Sequence, residues 1–153
     1  MKIPFVKLDT FLSNDRKYIF SRCQLEFTST TIGDFDQITL TNTLIGAFED
    51  LAARLSKYKL KACTLNNVED EFIGLLEKNI LNSCLPIGVE NFDGDQAAFF
   101  VIENMERMIL KPWGAKTLSF EIISLDDYKK EIAAITTKLE SQKRRLTPKL
   151  FIE

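Results

Sequence analysis

Between Leu44 and Tyr58 the chain repeats apolar residues at steps of three and four: Leu44, Ile45, Phe48, Leu51, Ala52, Leu55 and Tyr58. That spacing draws one apolar stripe along a helix of 3.6 residues per turn. Asn42, Glu49, Asp50, Arg54 and Lys57 fall mostly on the other faces, as a solvated side requires. Such a helix must lay its stripe against another layer, so the rest of the chain is arranged around this stretch. Gly33, Asp34 and Asp36 supply turn chemistry just before it. Carboxylates there satisfy free N–H groups and complement the positive end of the helix dipole. Thr39, Thr41 and Thr43 leave the first turn open, because threonine is a mediocre helix former. Gly46 inside the helix costs about 1 kcal/mol relative to alanine, which points to a close backbone contact there.

The remaining elements follow from periodicity. Residues 1–16 read as an irregular lead-in with apolar anchors Ile3, Phe5, Val6, Leu8, Phe11 and Leu12. From Lys17 to Thr28 the chain alternates, with Ile19, Cys23, Leu25 and Phe27 on one face, which predicts a half-buried strand. Ser21 breaks the apolar face, and Tyr18 and Phe20 sit on the polar one, so the first half is expected to be covered on both sides. Lys59 to Leu65 reads as a short strand or a connection. Asn67 followed by Val68, Glu69, Asp70 and Glu71 predicts a helix start with an Asn cap. Val68, Phe72, Leu75, Leu76 and Ile80 form its stripe, and it should end near Asn82. Glu90 to Gln96 reads as a polar loop. Ala98–Glu103, Arg107–Lys111 and Lys116–Ile123 predict a three-stranded antiparallel meander, with Leu118, Phe120 and Ile122 inward. Ser124 and Asp127 predict a capping box opening a third helix through Leu125, Tyr128, Ile132, Ile135 and Leu139. The basic segment 141–153, with Pro148, reads as a tail that is frayed or lies outside the core. The sum is one α+β domain over residues 1–153. It consists of an antiparallel sheet, the meander plus an N-terminal strand, with about three helices packed on it.

The chain of 153 residues contains no histidine. That removes the commonest general base, the Ser-His and Cys-His pairs and most zinc sites, so the expectation is a protein that is not an enzyme, with no cofactor and no metal. Cys23, Cys63 and Cys84 are odd in number and lack CxxC spacing, which reads as reduced cysteines, two or three of them buried. No apolar run approaches the roughly 20 residues that span a bilayer, and MKIPFVKLD lacks the pattern of a signal peptide, so the expected location is cytoplasmic.

Charge is uneven. Residues 62–106 hold nine acids and one base, 1 − 9 = −8, and residues 138–153 hold five bases and two acids, 5 − 2 = +3. An acidic middle repels nucleic acid and anionic membrane and steers cationic proteins toward it; keeping a segment soluble explains the same acids more simply. Asn91, Asp93, Gly94 and Asp95 hint at a calcium loop, but the twelfth position from Asn91 is Ile102 where a bidentate Glu is needed, so a solvated turn accounts for them better. Asp34 and Asp36 suit a helix-entry turn better than a catalytic pair. Lys143, Arg144 and Arg145 read as a solvated tail rather than a nucleic-acid or membrane contact. Trp113, in a KPWG loop, fits the edge of the core better than an exposed interface anchor.

The segment GDFDQITLTNTLIGAFEDLAARL, preceded by a strand of the FSRCQLEF type, resembles small immunity proteins of bacterial polymorphic toxin systems. The likeness is greatest to those paired with contact-dependent growth inhibition toxins, and it covers residues 17–58. It implies a compact, non-catalytic α+β protein that binds the C-terminal domain of a cognate toxin, a nuclease by expectation, and blocks it. Nuclease toxins carry basic clefts, so the partner surface is expected on Glu69, Asp70 and Glu71 with Glu90, Asp93 and Asp95. Asp34 and Asp36 form a second candidate patch. The alternative is an adaptor domain that binds another basic protein through the same acidic face.

Overall fold

The computed structural model of the protein describes residues 5–150 and has the expected α+β architecture, with its strands divided between two sheets rather than gathered in one. The first sheet begins with β1 (Phe5–Leu12) and β2 (Ile19–Glu26), paired antiparallel through Val6–Leu25, Leu8–Cys23, Asp9–Arg22, Thr10–Ser21 and Phe11–Phe20. Two short strands, β3 (Thr31–Ile32) and β4 (Thr39–Leu40), pair with opposite ends of β2.

β1 lies where an irregular lead-in was expected; Ile3 falls outside the described residues. Its alternation is disguised because Thr10 points inward and Phe11 outward. Thr10 is tolerated because its hydroxyl meets Ser21 Oγ at 2.9 Å, and Ser21 Oγ meets Thr41 Oγ1 at 2.8 Å. Ser21 is fully buried, so its interruption of the apolar face is a satisfied polar chain rather than a defect.

α1 (Thr41–Ser56) follows β4 directly and buries Leu44, Ile45, Ala47, Phe48, Leu51 and Leu55. Asp34 and Asp36 do not cap it: the N-cap is Leu40, without a side-chain hydrogen bond. The expected close contact at Gly46 is also absent, since a Cβ there would meet nothing within 4 Å. Tyr58 lies beyond the helix end. Its hydroxyl donates to Phe99 O at 3.1 Å and accepts from Phe99 N at 3.0 Å.

The second sheet contains β5 (Lys61–Ala62), β6 (Gln96–Ile102), β7 (Met105–Lys111) and β8 (Ser119–Ile122) in that order. β5 runs parallel to β6, and the other three strands form the expected meander. Glu103 and Asn104, with φ of 52° and 61°, make the two-residue left-handed turn that suits a tight hairpin. Ile122, expected inward, is exposed at the edge strand.

Both faces of this sheet are used. Ala97, Phe99, Met108 and Leu110 join the main core, which also takes in the inner face of the first sheet, α1 and α3 (Leu125–Leu146). Ala98, Phe100, Ile102 and Ile109 form a second cluster under Val68, Phe72 and Leu76 of α2 (Val68–Lys78). α2 stops at Lys78 rather than near Asn82, because Asn79 turns extended and its side chain accepts from Leu81 N at 2.9 Å to begin a 3₁₀ turn; Ile80 is therefore exposed. Asn67 makes no side-chain cap.

α3 starts at the expected Ser124, whose Oγ accepts from Asp127 N at 3.0 Å, the serine half of the capping box, and it buries Leu125, Tyr128, Ile132, Ile135 and Leu139. It does not fray at Ser141, while the residues from there to Leu150 lie outside the core, the other alternative for this segment. The helix runs to Leu146, where Lys143, Arg144 and Arg145 occupy the last turn and complement the negative end of its dipole. Pro148 follows in a 3₁₀ turn, so it removes no helical hydrogen bond. Of the two residues expected to cover the outer side of β2, Phe20 is half-buried, and Tyr18, just before the strand, is 52% exposed.

Candidate functional site

Two loops distant in sequence meet beside the first sheet. One is the 33–37 segment between β3 and β4; the other is the 89–95 segment before β6. Asn91 joins them and is 1% exposed. Its Oδ1 accepts from Thr39 Oγ1 at 2.5 Å, its Nδ2 donates to Gln37 O at 3.0 Å, and its carbonyl accepts from Asp34 N at 2.6 Å. Asp95 makes the second junction. Its Oδ2 accepts from Gly33 N at 2.9 Å, and its Oδ1 accepts from Trp113 N at 2.8 Å. Gly33, at φ 102°, allows this approach; a Cβ there would lie 3.0 Å from the Phe92 ring and 3.3 Å from Cys23 O.

The junction leaves an open groove of about 770 Å³, walled by residues that include Asp34, Phe35, Asp36, Glu90, Asp93, Asp95, Lys7 and Trp113. Glu90, Asp93 and Asp95 of the first expected patch thus share one site with Asp34 and Asp36 of the second, five carboxylates against one ammonium, or 1 − 5 = −4. Among the described residues none of the five makes an ion pair. The Lys7 ammonium instead sits 4.2 Å from the centroid of Phe35. Trp113 is 77% exposed, against the expectation that it closes the core. It is nevertheless held in place, because its indole lies against Gly94 where a Cβ would overlap it.

Asp95 differs from its neighbours. Burial raises its pKa above the ordinary carboxylate value, the hydrogen bonds from Trp113 and Gly33 oppose that rise, and the nearby Asp34 and Asp93 add to it. Its oxygens are engaged in holding the groove together. Asp34, Asp36, Glu90 and Asp93 are the acids left exposed for a guest.

Glu69, Asp70 and Glu71, the remaining candidates, are not among the walls. They occupy the first turn of α2, where the helix dipole favours them, and Glu71 pairs with Lys61 at 2.6 Å. The 90–95 segment also differs from the solvated turn expected of it, since Asn91 and Phe92 are buried. The contribution of Lys7 to the groove carried no signal while β1 was hidden, and nothing local joined Gln24, on the polar face of β2, to loops so distant in sequence.

The cysteines offer little chemistry. Burial pushes the thiols of Cys23 and Cys84 up to about 12, and it raises that of Cys63 as well. All three are free. Among the described residues no group of three or more His, Cys, Asp or Glu side chains is placed to hold a metal ion, and no helix is long and apolar enough to cross a membrane. The groove therefore offers carboxylates and aromatic faces, a combination that attracts cationic side chains.

Compared with protein-family models, curated proteins and solved structures, the chain matches none.

Proposed function

We propose that this chain is a non-catalytic immunity protein that binds one basic toxin domain and neutralises it, with the acidic groove as its face toward the toxin's cleft. The observation that carries the reading is the convergence of Asp34, Asp36, Glu90 and Asp93, from loops more than fifty residues apart, around an exposed and fixed Trp113. The Gly33-Asp34-Phe35 segment that bears the resemblance to immunity proteins is itself a wall of that groove. Carboxylates without basic partners raise the encounter rate with a cationic protein and repel nucleic acid, which keeps the site free for a nuclease that binds nucleic acid. An adaptor for another basic protein would use the same groove and differ only in its partner.

The test is co-expression with the toxin domain encoded directly upstream. Wild-type chain restores growth, and Asp34→Lys with Asp93→Lys, at matched soluble levels, restores it poorly. Failure of the wild type to protect would contradict the immunity reading and leave the adaptor.

A further inference from the structure

A small acidic groove makes a poor tight interface by itself. Stable complexes bury about 800 Å² per partner and place an apolar centre inside a polar rim. Such a centre lies on the same sheet face. Ser21, Cys23 and Leu25 point into the core, so Phe20, Arg22 and Gln24 of β2 point away from it. Gln24 walls the groove, and about 13 Å further along the strand, four residues at roughly 3.3 Å each, stands Phe20.

Phe20 sits between Phe11 of β1 and Leu40 of β4 in the strand register. Its ring lies 6.2 Å from Phe11 and 6.1 Å from Tyr18. Tyr18 and Leu40 are 52% and 44% exposed, and Ile38, just before β4, is exposed too. Arg22 bridges the aromatic cluster and the groove. Its guanidinium lies 5.6 Å from the Phe11 centroid, and its Nε is buried without a hydrogen-bond partner. Aromatic and Arg side chains in this arrangement are the residues that dominate binding energy at interfaces. Lys17 and Lys143 lie beyond, at the far margin beside Tyr18 and Leu40.

We propose that the outer face of the first sheet is one continuous docking surface for the basic toxin domain. The aromatic cluster of Phe11, Tyr18, Phe20 and Leu40 forms its apolar centre, and the acidic groove is its steering end. The proposal rests on the immunity reading and extends it. Charge fixes the partner's orientation: its basic cleft covers the groove, and a weakly charged apolar patch beside that cleft covers the aromatics, because a basic patch there would meet Lys17 and Lys143.

The two ends then control different rates. Charge governs association, and buried aromatic contact governs dissociation. The experiment follows binding of the upstream-encoded toxin domain to wild type, to Tyr18→Ser with Leu40→Ser, and to Asp34→Asn with Asp93→Asn. Both pairs are exposed, so both variants should fold, which circular dichroism checks. The aromatic variant is expected to dissociate about tenfold faster or more, with association unchanged. The acidic variant is expected to associate more slowly, chiefly at low salt. Binding of wild type with no change in the aromatic variant would overturn the docking surface and leave the immunity reading intact. No binding by wild type would overturn both. Self-association of the free chain that the aromatic variant abolishes would assign this face to a second copy and overturn the proposal.

Discussion

The acids of α2 and the acids of the groove look alike in sequence and differ in what holds them. Glu69, Asp70 and Glu71 sit within one helical turn, and local forces account for all three: the dipole of α2 favours them and Lys61 pairs with Glu71. Asp34, Asp36, Glu90 and Asp93 come from two loops, have no ion-pair partner among the described residues, and wall one open groove. Bringing like charges together raises the free energy of the fold, and among the described residues no basic side chain offsets it; the local bond that Asp34 Oδ1 accepts from Asp36 N at 3.0 Å shapes the 33–37 turn but leaves the charges in place. Acids that stabilise the fold where they stand need no partner to explain them. Acids that converge at a cost do, and this is the physical ground for placing function in the groove and not on α2.

The contrast breaks most sharply at Asn91, which holds the groove together. Asn91→Ala removes the bonds from Thr39 and to Gln37 in a buried setting, leaving the Gln37 carbonyl and the Thr39 hydroxyl without those partners. The expected loss is about 2–4 kcal/mol, measured by denaturant unfolding, with weaker binding at the groove. Asn67→Ala at the start of α2 is the paired control. Since Asn67 makes no side-chain cap, its expected loss is under about 0.5 kcal/mol. A costly Asn67→Ala or a harmless Asn91→Ala would erase the distinction.

Neutralising the α2 acids is a smaller perturbation of opposite meaning. Glu69→Gln with Asp70→Asn should cost about 0.3–1 kcal/mol per charge through the helix dipole, less at high salt. It should leave association with the proposed toxin partner unchanged. Neutralising Asp34 and Asp93 should leave stability unchanged or raise it slightly, since it relieves repulsion. Thermal unfolding of the two variants side by side checks the pair of signs.

The smallest effect concerns Asp95. Its native pKa is raised above the unfolded value, so the native state binds the proton more tightly. Its contribution to stability is fully present below the unfolded value near 3.8 and is lost as pH rises through the raised native value. That slope is opposite to that of a salt-bridged carboxylate. The stability of wild type relative to Asp95→Asn should therefore fall as pH rises across that window. A relative stability that rises with pH would mean that the hydrogen bonds from Trp113 and Gly33 outweigh the burial.

Much of the fold was legible because one-sided burial leaves a periodic trace. The stripes of α1 and α3, the alternation of β2 and the meander all follow from it. β1 was hidden because Thr10 inward and Phe11 outward reverse the usual polarity, and each has a tertiary reason: the Ser21 hydroxyl in one case, the outer aromatic cluster in the other. The same hidden strand explains the missing second sheet. The end of α3 was misjudged because basic residues and a proline signal a tail unless their position relative to the helix terminus is known. At the site, Glu90, Asp93 and Asp95 stand out by the charge of residues 62–106 and Asp34 and Asp36 by their turn, but nothing local groups the two sets. Only the long-range bonds of Asn91 and Asp95 join residues near 34 to residues near 93, and no local pattern encodes them. Trp113 was misplaced because an aromatic side chain defaults to the core, whereas here its indole lies over Gly94 at the surface.

The most direct test of the groove's role is the association rate of the proposed partner, a toxin domain encoded directly upstream, as a function of salt. It would be measured for wild type, for Asp34→Asn with Asp36→Asn and Asp93→Asn, and for Glu69→Gln with Asp70→Asn and Glu71→Gln. Each triple variant removes three charges, so net charge is matched and only position differs. The account predicts that the groove variant associates about tenfold more slowly at low salt, with a flatter salt dependence, and that the α2 variant tracks wild type. Equal slowing by both variants would show that only net charge matters, and slowing by the α2 variant alone would move the partner surface off the groove.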